Sequence, residues 1–106
     1  MLVIRGVNVF PTQIEEVLFK IAEIGPHYEI LVERKNRLDV MTITVELIDD
    51  RLLDSYALLG ELEKRIRSAL KAQLGLATQI RLVAPNSLQR FEGKAKRVTD
   101  LRKDGL

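Results

Sequence analysis

Two short segments hold the residue types that chemistry would need. The first is Arg5-Gly6-Val7-Asn8-Val9-Phe10-Pro11-Thr12-Gln13-Ile14-Glu15-Glu16. Gly6 permits a positive φ, or close approach of a ligand to the backbone. Asn8 offers both a donor and an acceptor. Pro11 suits the first turn of a helix, whose N-terminus is electropositive. On composition alone the segment reads as strand, turn and helix start. The second segment is Pro85-Asn86-Ser87-Leu88-Gln89-Arg90-Phe91-Glu92-Gly93-Lys94-Ala95-Lys96-Arg97-Val98. A lysine after glycine in a loop can reach into a cleft and stabilise anionic oxygens of a carboxylate or phosphate. It is no P-loop, because Leu88 stands where that motif needs glycine and no Ser or Thr follows Lys94. Alone, it reads as a solvated basic loop.

Other chemistries are excluded or weak. The chain has no Cys and one His, which removes disulfides, thiolate nucleophiles and Cys-ligated metals. His27 beside Gly25-Pro26 has no partner in the sequence and reads as a loop residue. Asp49, Asp50 and Asp54 lack the spacing of a hard-metal loop and read as helix caps, so no metal site is expected. Arg34-Lys35-Asn36-Arg37 reads as a solvated hairpin tip. A nucleic-acid surface needs basic groups spread among stacking aromatics, and only Tyr28 is near, so no nucleic-acid partner is expected.

The elements that must position these residues are legible from periodicity. Met1 to Arg5 reads as a strand and 7–10 as a loop or strand extension. Ile14, Val17, Leu18 and Ile21 form a helical stripe, which Gly25-Pro26 is expected to end. Tyr28, Ile30 and Val32, then Met41, Ile43, Val45 and Leu47, alternate with other residues and predict a β-hairpin. Leu59, Leu62, Ile66, Ala69, Leu70 and Leu74 predict a helix from about Ser55 to Leu74, with Gly75 at its C-terminal cap. Glu61 with Arg65 and Glu63 with Arg67 have i,i+4 spacing. Thr78 to Ala84 reads as a strand, and Lys96 to Thr99 as a short final strand or ordered tail. The order β-α-β-β-α-β predicts an α+β fold: a ferredoxin-like sandwich with a small sheet and two helices on one face.

A chain of 106 residues makes one domain, 1–106. Its net charge of +2 hides an asymmetry: residues 1–89 sum to −1 and residues 90–106 to +3. Few enzymes fit a whole active site into this length. No apolar run approaches membrane-spanning length, so no membrane partner is expected and the cytoplasm is the expected location.

Taken together, the two segments resemble the C-terminal domain of adenylate-forming acyl-CoA synthetases, and most nearly the phenylacetate-CoA ligase branch. Gly6-Val7-Asn8-Val9-Phe10-Pro11-Thr12-Gln13-Ile14-Glu15 fills the opening motif, and Gly93-Lys94-Ala95-Lys96-Arg97-Val98 resembles the terminal one. Ser87-Leu88-Gln89-Arg90-Phe91-Glu92 resembles that branch too, with Phe91 where a small residue is expected.

The resemblance implies a lid domain, including a basic segment 86–106, that assists a two-step reaction. A carboxylate and ATP give an acyl-adenylate and pyrophosphate; CoA then gives the thioester and AMP. It implies Lys94 as the catalytic residue for adenylation, with Gly93 letting its loop approach. It implies Arg5, Gly6, Val7 and Asn8 along the CoA channel, and Arg90 and Arg97 in supporting contacts to CoA phosphate or between domains. ATP, Mg²⁺ and CoA would be bound mainly by a large N-terminal ATP-binding domain, in cis or trans. The isolated chain would hold no cofactor and would not be active alone. The family's hinge acid is expected just before the residues matching Met1 to Ile4. The rival reading is a stand-alone ferredoxin-like module that binds a small ligand or self-associates as a homodimer through its sheet edges, without catalysis.

Overall fold

Two hairpins frame the molecule, and both turn on residue pairs with positive φ. In this computed structural model, which describes residues 2–88 and 97–102, β1 (Leu2–Ile4) pairs antiparallel with β2 (Val7–Val9) across Arg5 and Gly6. The second hairpin joins β3 (Ile24–Lys35) to β4 (Leu38–Leu47) across Asn36 and Arg37, whose φ angles are 52° and 66°. Two-residue loops of this kind match the right-handed twist of the strands they join.

Between the hairpins lies α1 (Pro11–Leu18). Its first turn is closed at Phe10, whose backbone N–H donates to Gln13 Oε1 at 2.9 Å. After β4, Asp49 caps a short 3₁₀ turn over Asp50–Asp54 by accepting from Arg51 N–H. Ser55 then caps α2 (Tyr56–Leu74) by accepting from Leu58 N–H. Gly75, at φ 80°, ends α2 in the left-handed conformation. The strands β5 (Gln79–Val83) and β6 (Val98–Asp100) complete a four-stranded sheet of order β5-β4-β3-β6, with β5 parallel to β4 and β6 parallel to β3.

The core follows the alternation. Tyr28, Ile30, Val32, Met41, Ile43, Val45 and Leu47 are buried from the sheet, and they cluster with Ile14 and Leu18 of α1 and Leu62, Ile66, Leu70 and Leu74 of α2. Each fully buried side chain such as Ile66 or Leu70 contributes about 1.5–3 kcal/mol.

The α+β class, with a small sheet and two helices, is what the sequence predicts. Three details differ. First, α1 stops at Leu18 rather than at Gly25-Pro26. Ile24 is instead held in the sheet opposite Leu47, and Ile48 N–H donates to Glu23 O, so pairing with β4 overrides the helical pattern. Second, Pro26 and His27 lie within β3, where a register shift between Ile24 and Tyr28 absorbs the proline's missing donor. Third, the first strand closes on β2 as a separate hairpin, and the sheet's outer position beside β3 is filled by β6.

Candidate functional site

The turn between β1 and β2 stores strain. Arg5 has φ 50° and Gly6 has φ 78°. Glycine adopts this freely, and a Cβ at Gly6 would meet nothing within 4 Å, so conformation rather than crowding is the demand. Arginine at such an angle costs about 1–3 kcal/mol unless its surroundings hold it there.

Asp39, the second residue of β4, supplies that hold. Its Oδ2 accepts the Arg5 backbone N–H at 2.9 Å, and its carbonyl accepts Arg5 Nε at 2.9 Å. Its Oδ1 accepts Arg34 Nε at 3.2 Å, and Oδ2 also accepts from Arg102 at 3.2 Å. The same Arg102 guanidinium donates to Val3 O at 2.6 Å and to Asp100 Oδ2 at 2.8 Å. The Arg102 and Asp39 side chains are 7% and 12% exposed, so solvent screens this pair little. The Arg5 N–H, then Arg34 and Arg102, hold the Asp39 carboxyl below its usual range.

Beside the turn, Arg5, Arg34, Arg37, Leu38 and Asp39 line an open hollow of about 490 Å³. Three arginines face it against one aspartate whose charge is already engaged. The surplus suits an anionic group, since guanidinium forks match phosphate oxygens. Val7 packs partly buried against the core, and Asn8 is exposed.

A second network surrounds Glu15. Glu15 of α1 is buried. Tyr28 Oη donates to Glu15 Oε1 at 2.8 Å, and Arg97 donates to the same oxygen at 3.2 Å. The Arg97 guanidinium lies 4.9 Å from the Tyr28 ring centroid. Burial, with the nearby Glu15, pushes the Tyr28 phenol up to about 12, against a lowering contribution from Arg97. Arg97 is therefore engaged with α1 and β3 at the start of the C-terminal stretch. On the other side of the sheet, the buried Glu46 accepts from the Asn86 and Leu88 N–H groups at 3.1 and 2.9 Å, fixing the turn after β5.

The structure thus brings Arg5, Gly6 and Asp39 together, and places Val7 and Asn8 on the next strand. Arg97 sits apart from them, on Glu15. Lys94, Gly93 and Arg90 lie outside the described residues. Sequence reasoning missed Asp39, Glu15 and Glu46. An acid inside an alternating strand is the signal that could have raised Glu46; nothing local marks Asp39 as a partner of Arg5, 34 residues away.

Residues 6–102 match the family described as AMP-binding enzyme C-terminal domain. The chain belongs to that family. Over 102 residues it is 40% identical to the phenylacetate-coenzyme A ligase of Escherichia coli strain K12, covering 96% of this chain and 23% of that protein. The chain spans about a quarter of the length of the curated relatives it matches, between 23% and 26%. Its fold superposes on a crystallised domain of phenylacetate-coenzyme A ligase from Bacteroides vulgatus with a TM-score of 0.87 and 36% identity, covering 98% of this chain and 94% of that one. A third relative is a 2-hydroxyisobutyryl-CoA ligase solved with its acyl-AMP and CoA in the thioesterification state: TM-score 0.82, 30% identity, 92% of this chain and 20% of that one. Among the described residues, no helix is long and apolar enough to cross a membrane.

Proposed function

We propose that this chain works as the lid domain of an AMP-forming acyl-CoA ligase of the phenylacetate-CoA ligase kind. The observation that supports this most is the tight Arg5–Gly6 turn, pinned by Asp39 at the rim of an arginine-lined hollow. A rigid turn without a side chain at Gly6 lets a thin chain such as pantetheine pass close to the backbone. Arginines beside it suit the phosphates of CoA.

The reaction has two steps. A carboxylate oxygen attacks the α-phosphorus of ATP, releasing pyrophosphate and forming the acyl-adenylate. The CoA thiol then attacks the acyl carbon, and AMP leaves. Lys94 serves the first step, placing positive charge where negative charge develops on the carboxylate and phosphate oxygens. The Gly6 turn, with Val7 and Asn8, serves the second by lining the CoA channel. A hinge rotation of the domain between the steps presents each in turn. The large domain binds ATP with Mg²⁺ and the acid, so the isolated lid makes no thioester.

The test is a half-reaction measurement in the intact ligase carrying this domain. Lys94→Ala lowers acid-dependent pyrophosphate exchange by about 100-fold or more. Thioester formation from preformed acyl-adenylate and CoA persists. Unchanged pyrophosphate exchange would remove Lys94 from the mechanism.

A further inference from the structure

The Gly6 turn does not hold itself in shape. Gly6 adopts φ 78° at no cost, but its neighbour Arg5 is held at 50° against its own preference. The restraint comes from outside the hairpin. The Asp39 carboxylate takes the Arg5 backbone N–H, the Asp39 carbonyl takes Arg5 Nε, and both bonds are 2.9 Å long. The carboxylate is in turn oriented by two guanidiniums, Arg34 on Oδ1 and Arg102 on Oδ2. Arg102 also donates to Val3 O, two residues before Arg5 on the same hairpin. The turn is thereby gripped at its first strand and at its first left-handed residue by one ion-paired cluster that spans β1, β4 and the residues after β6.

We propose that Asp39 is a positioning residue for thioester formation: by fixing Arg5 and Gly6 in one conformation, it keeps the turn out of the path of the CoA arm. This rests on the reading of the Gly6 turn as the channel wall. Asp39 touches no reacting atom. It acts through Arg5, and Arg102 acts through Asp39. A turn that samples several conformations would obstruct the arm part of the time, and binding competence falls with the population of the open form. The adenylation step does not use this wall and should not register the change.

The experiment uses the intact ligase with two half-reactions measured separately. Asp39→Asn keeps the side chain's size and removes its charge. The expected result is a rise of about tenfold or more in the KM for CoA, or an equal fall in the thioester-forming rate, with pyrophosphate exchange within about twofold of the parent. Arg102→Lys keeps a cation near Asp39 but loses the fork that also holds Val3 O, and a smaller change in the same direction is expected. Equal losses in both half-reactions overturn the proposal, because a merely structural residue would weaken both. So does an unchanged CoA dependence in Asp39→Asn. If Asp39→Asn does not fold, the Arg102→Lys result decides by the same criteria. Gly6→Ala, strained at its positive φ, separates the two ideas. Should it leave the CoA step untouched, the channel reading fails and the proposal with it. Should it impair that step while Asp39→Asn does not, the reading stands and the positioning role falls.

Discussion

Tyr28 is a residue whose core position was legible and whose chemistry was not. The alternation with Ile30 and Val32 assigns it to the buried face, and it is buried there. What periodicity hides is that its hydroxyl finds a carboxylate on α1 and its ring finds a guanidinium 69 positions later, since such partners are set by the fold and not by spacing. Burial raises the phenol to about 12. The folded value lies above the ordinary 10.0. The neutral phenol's contribution to stability is therefore fully present below pH 10 and lost as pH rises through the folded value. Only two tyrosines exist, and Tyr56 is 94% exposed. In a Tyr56→Phe chain the remaining phenolate absorbance should rise with a midpoint near 12. A midpoint near 10 would mean that Tyr28 is not held buried against Glu15 in solution. Tyr28→Phe should cost about 1–2 kcal/mol in denaturant unfolding, because Glu15 stays buried with one donor fewer.

At the scale of elements, long amphipathic segments were readable and short ones were not. The α2 stripe of Leu62, Ile66, Leu70 and Leu74 repeats over 19 residues with Ser55 and Gly75 at its ends, and all four are buried as the spacing demands. The α1 helix spans only 8 residues, too few for its pattern to outweigh the pull of β4 on Ile24. The predicted Glu63–Arg67 pair forms at 3.6 Å. Arg65, expected on Glu61, pairs at 2.7 Å with Glu23. A neighbour across the helix packing outcompetes one along the helix, and the Arg65 bond holds Glu23 below the usual carboxylate range. Gly60 lies exposed inside α2, and a Cβ there would meet nothing within 4 Å. Gly60→Ala should therefore stabilise the domain by up to about 1 kcal/mol, read as a higher Tm, with both half-reactions of the ligase unchanged. A lower Tm would mean that α2 bends or packs differently at this point.

For the whole molecule, the two end segments of the described chain are joined to its middle through charge. The α+β class was legible because alternation and helical stripes report the core directly. The cluster that ties β1, β4 and the residues after β6 together was not, since Arg102, Asp39 and Val3 meet only after the chain has folded. That cluster has a consequence in acid. Asp39 and Asp100 both have folded carboxyl values below the ordinary 3.8, Asp39 through the Arg5 N–H and Asp100 through Arg102. A depressed carboxyl contributes stability that is present above its unfolded value and lost as pH falls through its folded value. The paired strands β3, β4 and β5 are held mainly by apolar burial and backbone bonds, which protonation leaves intact, while the Glu15 and Glu46 carboxylates serve α1 and the turn after β5. Acid should therefore loosen the β1–β2 hairpin and β6 before it melts the central sheet. Amide exchange measured at falling pH, corrected for intrinsic rates, should show protection lost first at Ile4, Val7 and Leu101, whose N–H donates to Val32 O, while Ile43 and Val45 stay protected. In Asp39→Asn the hairpin amides should already exchange fast at neutral pH, and acid should add little. Simultaneous loss at all of these positions would mean that the ends and the sheet unfold as one unit, with the charge cluster contributing nothing separable to how the turn is held.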